Sequence, residues 1–134
     1  MNTNSRTKPT SSDLLIGMLC VESDHKLLYN CNRIMIVLNK RKQNIQEIPG
    51  RFQGLLDRIS FVEGGLGPWS REIDNALVNL GFHKGIGWTC GDRPDYLYLE
   101  ANQVSSTLDM PGLRNLTDEE RAFLAELARE VNNL

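Results

Sequence analysis

The sequence predicts a single α+β, helix-rich domain that carries a short β-hairpin and ends in a helix. Apolar residues recur at helical spacing in five separate segments. One alternating run, YLYL at 96–99, follows a Gly/Asp/Pro turn, which is the chemistry of a hairpin. The chain has 134 residues, 40% hydrophobic and 24% charged. At this size folding buries about two-thirds of the unfolded surface, enough for one core without a disulfide or metal staple. Collagen-like, coiled-coil and wholly disordered classes are excluded by the same composition.

Residues 1–11 hold no large apolar residue after Met1 and read as a frayed tail, leaving residues 12–134 as the domain. Ser12 or Asp13 caps a first helix to about Glu22, with Leu14, Leu15, Met18 and Leu19 inward. A second helix begins after Ser23 or Asp24, with Leu27, Leu28, Cys31, Ile34, Met35 and Leu38 as its stripe. Pro49 and Gly50 break the chain before a third, formed by Phe52, Leu55, Leu56 and Ile59. Phe61 and Val62 allow a brief strand, and residues 63–70 read as a turn in which Gly67 or Ser70 caps a fourth helix and Pro68 suits its first position. That helix presents Trp69, Ile73, Ala76, Leu77 and Leu80, and Gly81 ends it. Ile86 and Trp88 pair with residues 96–99 as the hairpin, 101–115 reads as loop, and Thr117 with Glu120 forms a capping box opening the C-terminal helix, 117–134. Phe123, Leu124, Leu127, Val131 and Leu134 face inward there, as either a dimer arm or a lid.

The densest apolar stretch, 34–38, is far too short to span a bilayer, and the polar N-terminus lacks a signal-peptide core, so a cytoplasmic protein is expected. Cys20, Cys31 and Cys90 are widely spaced and read as reduced thiols; with His83 they lack the paired local ligands of structural zinc, and no metal is expected. The net charge of -2 is unevenly spread. Residues 26–58 carry seven basic side chains against two acidic, residues 59–134 six against twelve. A basic face on an acidic protein suits a polyanion or an acidic partner. Within it, Lys40, Arg41 and Lys42 are the strongest cluster.

The order of helices, strand, helix and hairpin is that of a winged helix-turn-helix. SREIDNALVNLGF (70–82) followed by GDRPDYLYL (91–99) resembles the recognition helix and wing of MarR-type and PadR-type regulators. GPWS (67–70) is similar to the Gly-Pro-aromatic-Ser segment of SocA-like (Panacea) domains, and the resemblance covers roughly residues 12–100. It implies major-groove contacts from Arg71, Asp74, Asn75 and Asn79, and wing contacts from Lys84, Asp92 and Arg93. Glu72 and Asp74 depart from the residues that read DNA. SocA-like domains are associated with protein contacts in toxin–antitoxin systems as well as with regulation.

Other chemistry finds no support. GGLG (64–67) lacks the ending of a P-loop and the spacing of a dinucleotide site, so no cofactor is expected. Asp92 and Asp95 belong to a turn and Ser70 to a cap, which leaves no nucleophile beside a base and no enzyme. Trp69, Trp88, Tyr96 and Tyr98 read as packing residues. The expected function is a small winged-helix regulator binding duplex DNA as a homodimer, with Arg71 and Arg93 on bases or phosphates and Lys40, Arg41, Lys42 and Lys84 on phosphates. The alternative is a non-enzymatic protein-interaction module of toxin–antitoxin or phage-defence type. DNA binding requires the basic residues and the fourth helix on one face, whereas protein binding requires an exposed apolar patch.

The stripes also name a core: Leu28, Ile34, Phe52, Leu56, Ile73, Leu77 and Leu80. Leu77→Ala is expected to cost about 2–5 kcal/mol, read as a lowered urea midpoint.

Overall fold

The computed structural model describes residues 8–89 and 95–133. The chain runs α1 (Ser11–Val21), β1 (Lys26–Leu28), α2 (Cys31–Lys42), α3 (Arg51–Arg58), β2 (Val62–Gly64), β3 (Gly67–Trp69), α4 (Arg71–Asn79), β4 (Ile86–Trp88), β5 (Tyr96–Leu99), α5 (Val104–Leu108) and α6 (Asp118–Asn132). Short 3-10 turns lie at Ile45–Glu47, Leu80–Phe82 and Ala101–Gln103. This is the α+β class predicted, in an order consistent with a winged-helix-like layout. β1, β5 and β4 form an antiparallel sheet in that order, and α4 precedes its hairpin. No described helix is long and apolar enough to cross a membrane.

α1 is the axis of the core. Thr10 caps it, its hydroxyl accepting from the Asp13 N–H at 3.1 Å while the Asp13 carboxylate accepts the Thr10 N–H at 2.9 Å. The helix therefore starts ahead of the predicted Ser12, and Pro9, expected in the tail, is buried with its carbonyl bonded by Arg58, while residues 1–7 of that tail lie outside the described residues. Every residue from 13 to 20 is buried, beyond the predicted stripe, because α4, α5 and α6 all pack on this helix. Gly17 admits α6 closely, since a Cβ there would sit 3.0 Å from Leu124.

The expected second helix is divided. Lys26–Leu28 is a strand, with Leu27 opposite Leu97, and the helix begins only after Asn30, whose side chain accepts the Arg33 N–H. Leu27 and Leu28 fit a helical stripe equally well; pairing with β5 decides between the two. Residues 62–69 also differ from expectation. They form a second hairpin, β2 with β3, turning at Gly65 and Leu66, so that Pro68 lies in a strand and Trp69 opposes Val62 instead of joining α4. Ser70 then caps α4 by accepting the Ile73 N–H. The hairpin of β4 and β5 matches expectation and turns Leu97 and Leu99 inward. Within 101–115 the predicted loop contains α5, and Leu113 is buried.

α6 is not a free arm; the fold-back alternative is the one the structure shows. It folds back onto α1, α2 and β1, burying Phe123, Leu124, Leu127, Ala128 and Val131; Leu134 lies outside the described residues. The whole predicted core is buried in one cluster. At the start of α6, the buried Glu120 carboxylate accepts the Thr117 N–H at 2.9 Å, the Arg51 N–H at 2.8 Å and the Arg51 Nε–H at 3.0 Å. Burial alone would raise its pKa, but these donors and the Arg51 charge outweigh it and hold the carboxyl below its ordinary range.

Glu120→Gln is expected to cost about 3 kcal/mol at pH 7, because Arg51 then loses its counter-charge in a mostly buried site. With a lowered folded pKa, the unfolded chain takes up the proton first on acidification. The contribution of Glu120 is thus complete above its unfolded pKa of about 4.3 and is lost as pH falls through the folded value. Urea melts across that acid range should show a shallower loss of stability in Glu120→Gln than in the wild type.

Candidate functional site

The buried side of α4 carries Ile73, Ala76 and Leu77, which leaves Arg71, Asn75 and Asn79 exposed at i, i+4 and i+8. Of the acidic residues, Glu72 is also exposed, at the first turn, and Asp74 is half-buried. Glu72 accepts the Ser70 hydroxyl at 2.9 Å; bonds from its own backbone N–H and from Ser70 lower its pKa. Asp74 is close enough to Cys31 to raise that thiol's pKa. Beyond the amides the helix exposes Val78 (63%) and, in the 3-10 turn that follows, Phe82 (86%).

The predicted phosphate-binding run does not stay together. Consecutive helical residues point about 100° apart, and near the end of α2 three neighbours take three directions. Lys40 is exposed. Arg41 is paired with Glu130 and, at 3.6 Å, with Glu126, and its guanidinium lies 6.0 Å from the Phe123 ring. Lys42 donates to the carbonyls of Leu56 and Asp57, both at 3.0 Å, at the end of α3. Arg41 and Lys42, expected on phosphates, thus bond within the chain. The rest of the basic segment behaves alike. Arg33 donates to the carbonyls of Glu130, Val131 and Asn133, Arg51 to those of Gly112, Arg114 and Asn115, and Lys26 lies 4.6 Å from the Tyr96 ring. Lys84 is exposed, whereas Asp92 and Arg93 lie outside the described residues.

The surface that sequence reasoning missed is apolar. On the β2–β3 hairpin, Leu66 at the turn is 77% exposed, and the opposed pair Val62 and Trp69 is also exposed. Ile36 of α2 is exposed beside them, 4.0 Å from where a Cβ on Gly67 would lie. Because the hairpin runs through Ser70 into Arg71, this patch adjoins the first turn of α4. At the other end, Phe82 follows Gly81, whose missing Cβ makes room for the Trp88 indole, and Tyr29 meets that indole edge-on at 6.1 Å. Trp69, Trp88 and Tyr98 are each more than a third exposed, so the packing role expected of the aromatics holds only in part. A hint was present in the sequence. Ser70 is a strong cap, and a residue preceding the cap lies off the helix.

Cys20 is buried and its thiol is pushed up to about 12 by that burial against the opposing pull of Arg121; burial likewise raises Cys31. Neither is an activated nucleophile. Among the described residues no group of three His, Cys, Asp or Glu side chains could hold a metal ion, and Cys90 lies outside them. No protein-family model, curated protein or solved structure matches the chain.

Arg41→Ala and Lys42→Ala are each expected to lower stability by about 1 kcal/mol, while Lys40→Ala stays within about 0.5 kcal/mol of the wild type. Urea melts of the three variants check this assignment.

Proposed function

We propose that this chain is a non-enzymatic protein-interaction module that holds a protein partner against the outward face of α4 and the β2–β3 hairpin. What supports the reading best is the exposure of Ile36, Val62, Leu66 and Trp69 at one end of α4 and of Val78 and Phe82 toward the other. Only about 13 Å of helix lies between them, and Arg71, Asn75 and Asn79 line it. Apolar anchors with an Arg and amides around them are the make-up of an interface centre. Duplex DNA requires many cations on one face. Here most of the basic segment is bonded internally; of it Lys40 and Arg58 are exposed, and beside α4 the described cations exposed include Arg71 and Lys84. The similarity of GPWS (67–70) to the Gly-Pro-aromatic-Ser segment of SocA-like domains supports this reading, since that family is associated with protein contacts in toxin–antitoxin systems.

The test is a pull-down from the native host followed by affinity measurement on the recovered partner. Leu66→Asp and Phe82→Asp are expected to weaken binding at least ~30-fold with unchanged melting, because charge at a desolvated anchor removes hot-spot energy of about 2 kcal/mol or more. Tight duplex binding at low salt, lost in Arg71→Ala and insensitive to Leu66→Asp, would overturn the proposal in favour of a DNA-binding regulator.

A further inference from the structure

Among the described residues β1 is an outer strand of the sheet, with β5 on one side and no strand on the other. His25, Leu27 and Tyr29 face β5, so the peptide groups of Lys26 and Leu28 point outward. Bare groups of this kind template pairing with another chain. All four are occupied. The Lys26 N–H donates to Glu22 Oε1 at 2.9 Å, and Asn132 Nδ2 donates to the Lys26 carbonyl at 3.0 Å. The Leu28 N–H donates to Asn132 Oδ1 at 2.6 Å, and the Leu28 carbonyl accepts the Asn30 N–H at 3.0 Å. The primary amide of Asn132 offers one donor and one acceptor side by side, as a peptide group of a neighbouring strand would. Arg33 holds it there by gripping the last carbonyls of α6.

We propose that Glu22 and Asn132 form a latch over a strand-pairing edge, and that β1 without its latch pairs antiparallel with β1 of a second copy of this chain. The edge is self-complementary. With a two-fold axis at Leu27, Lys26 of one copy lies opposite Leu28 of the other, every outward N–H meets a carbonyl, and no like charges are directly opposed. Beside the latch, a groove of about 610 Å³ between the ends of α1 and α6, lined by Val21, Ala125 and Arg129 with the two latch residues, gives the side chains room to swing away. The end of α6 also packs on β1, so opening the edge fully requires removing residues 132–134 together with the Glu22 carboxylate. A chain ending at Val131 keeps that buried residue in the core.

Two variants test the proposal by hydrogen exchange and sedimentation. In Asn132→Ala, exchange at the Leu28 amide should rise about 10-fold, the effect of losing one hydrogen bond. The Leu99 amide, bonded to the His25 carbonyl on the other side of β1, should not change. In the chain ending at Val131 and carrying Glu22→Ala, which frees the Lys26 N–H as well, mass should rise toward a dimer near ~1 mM, the range that four backbone hydrogen bonds reach, with the Leu28 amide protected again as concentration increases. Unaltered Leu28 exchange in Asn132→Ala, or a folded truncated chain that stays monomeric through that range, would overturn the proposal. Asn132→Ala decides the latch even if the truncated chain does not fold.

Discussion

One carboxylate serves the first turns of two helices, and much of the structure depends on it. Glu120 completes the capping box of its own helix by accepting the Thr117 N–H, and it also accepts the Arg51 N–H that opens α3, a helix whose cap position is a glycine. Gly50 has φ +55 and lies where any Cβ would run into the Glu120 carboxylate, so the close approach of the two helices requires that glycine. Arg51 carries the connection onward to the carbonyls of residues 112, 114 and 115. The loop leading into α6, the start of α6 and the start of α3 are therefore held by one charged, nearly buried pair.

The other end of α6 is held by the same chemistry with the roles reversed. A helix C-terminus leaves carbonyls without partners, and cations nearby complement its dipole. Arg33 supplies such donors to α6 and Lys42 to α3, while Arg41 holds the carboxylates of Glu126 and Glu130. What looks in one dimension like a basic face is, in three, a set of bonds from α2 to the two helices beside it. This explains how a segment so rich in cations coexists with an acidic C-terminal region: the two are partners within one molecule.

That internal neutralisation shapes what remains for function. With the cations drawn inward, the groups left around α4 are amides, a few separate charges and large apolar side chains. The hairpin β2–β3 lies outside the three-stranded sheet and packs chiefly on α2, so it presents Leu66 and the Val62–Trp69 pair without covering them. A two-stranded hairpin is marginal on its own. Anchoring on α2 and continuity with the capped start of α4 keep this one in place.

The sequence by itself determined the class, the stripes of α3 and α6, the capping box at Thr117, the β4–β5 hairpin and the central core residues, because each is set by local periodicity or by a side chain meeting its own backbone. Ser70 and the inward positions of α4 were legible for the same reason. Tertiary structure alone decided that Lys26–Leu28 is a strand, since an apolar pair fits either period until a partner strand arrives. It also decided that α1 is buried all round and that α6 folds back, because neighbours and not periodicity set how many faces of a helix are covered. The destinations of Arg33, Arg41, Lys42 and Arg51 were out of reach for a related reason. A long cationic side chain carries no local mark of whether its partner is solvent, a phosphate or a group elsewhere in the chain, and only the packed chain brings that partner within bonding distance.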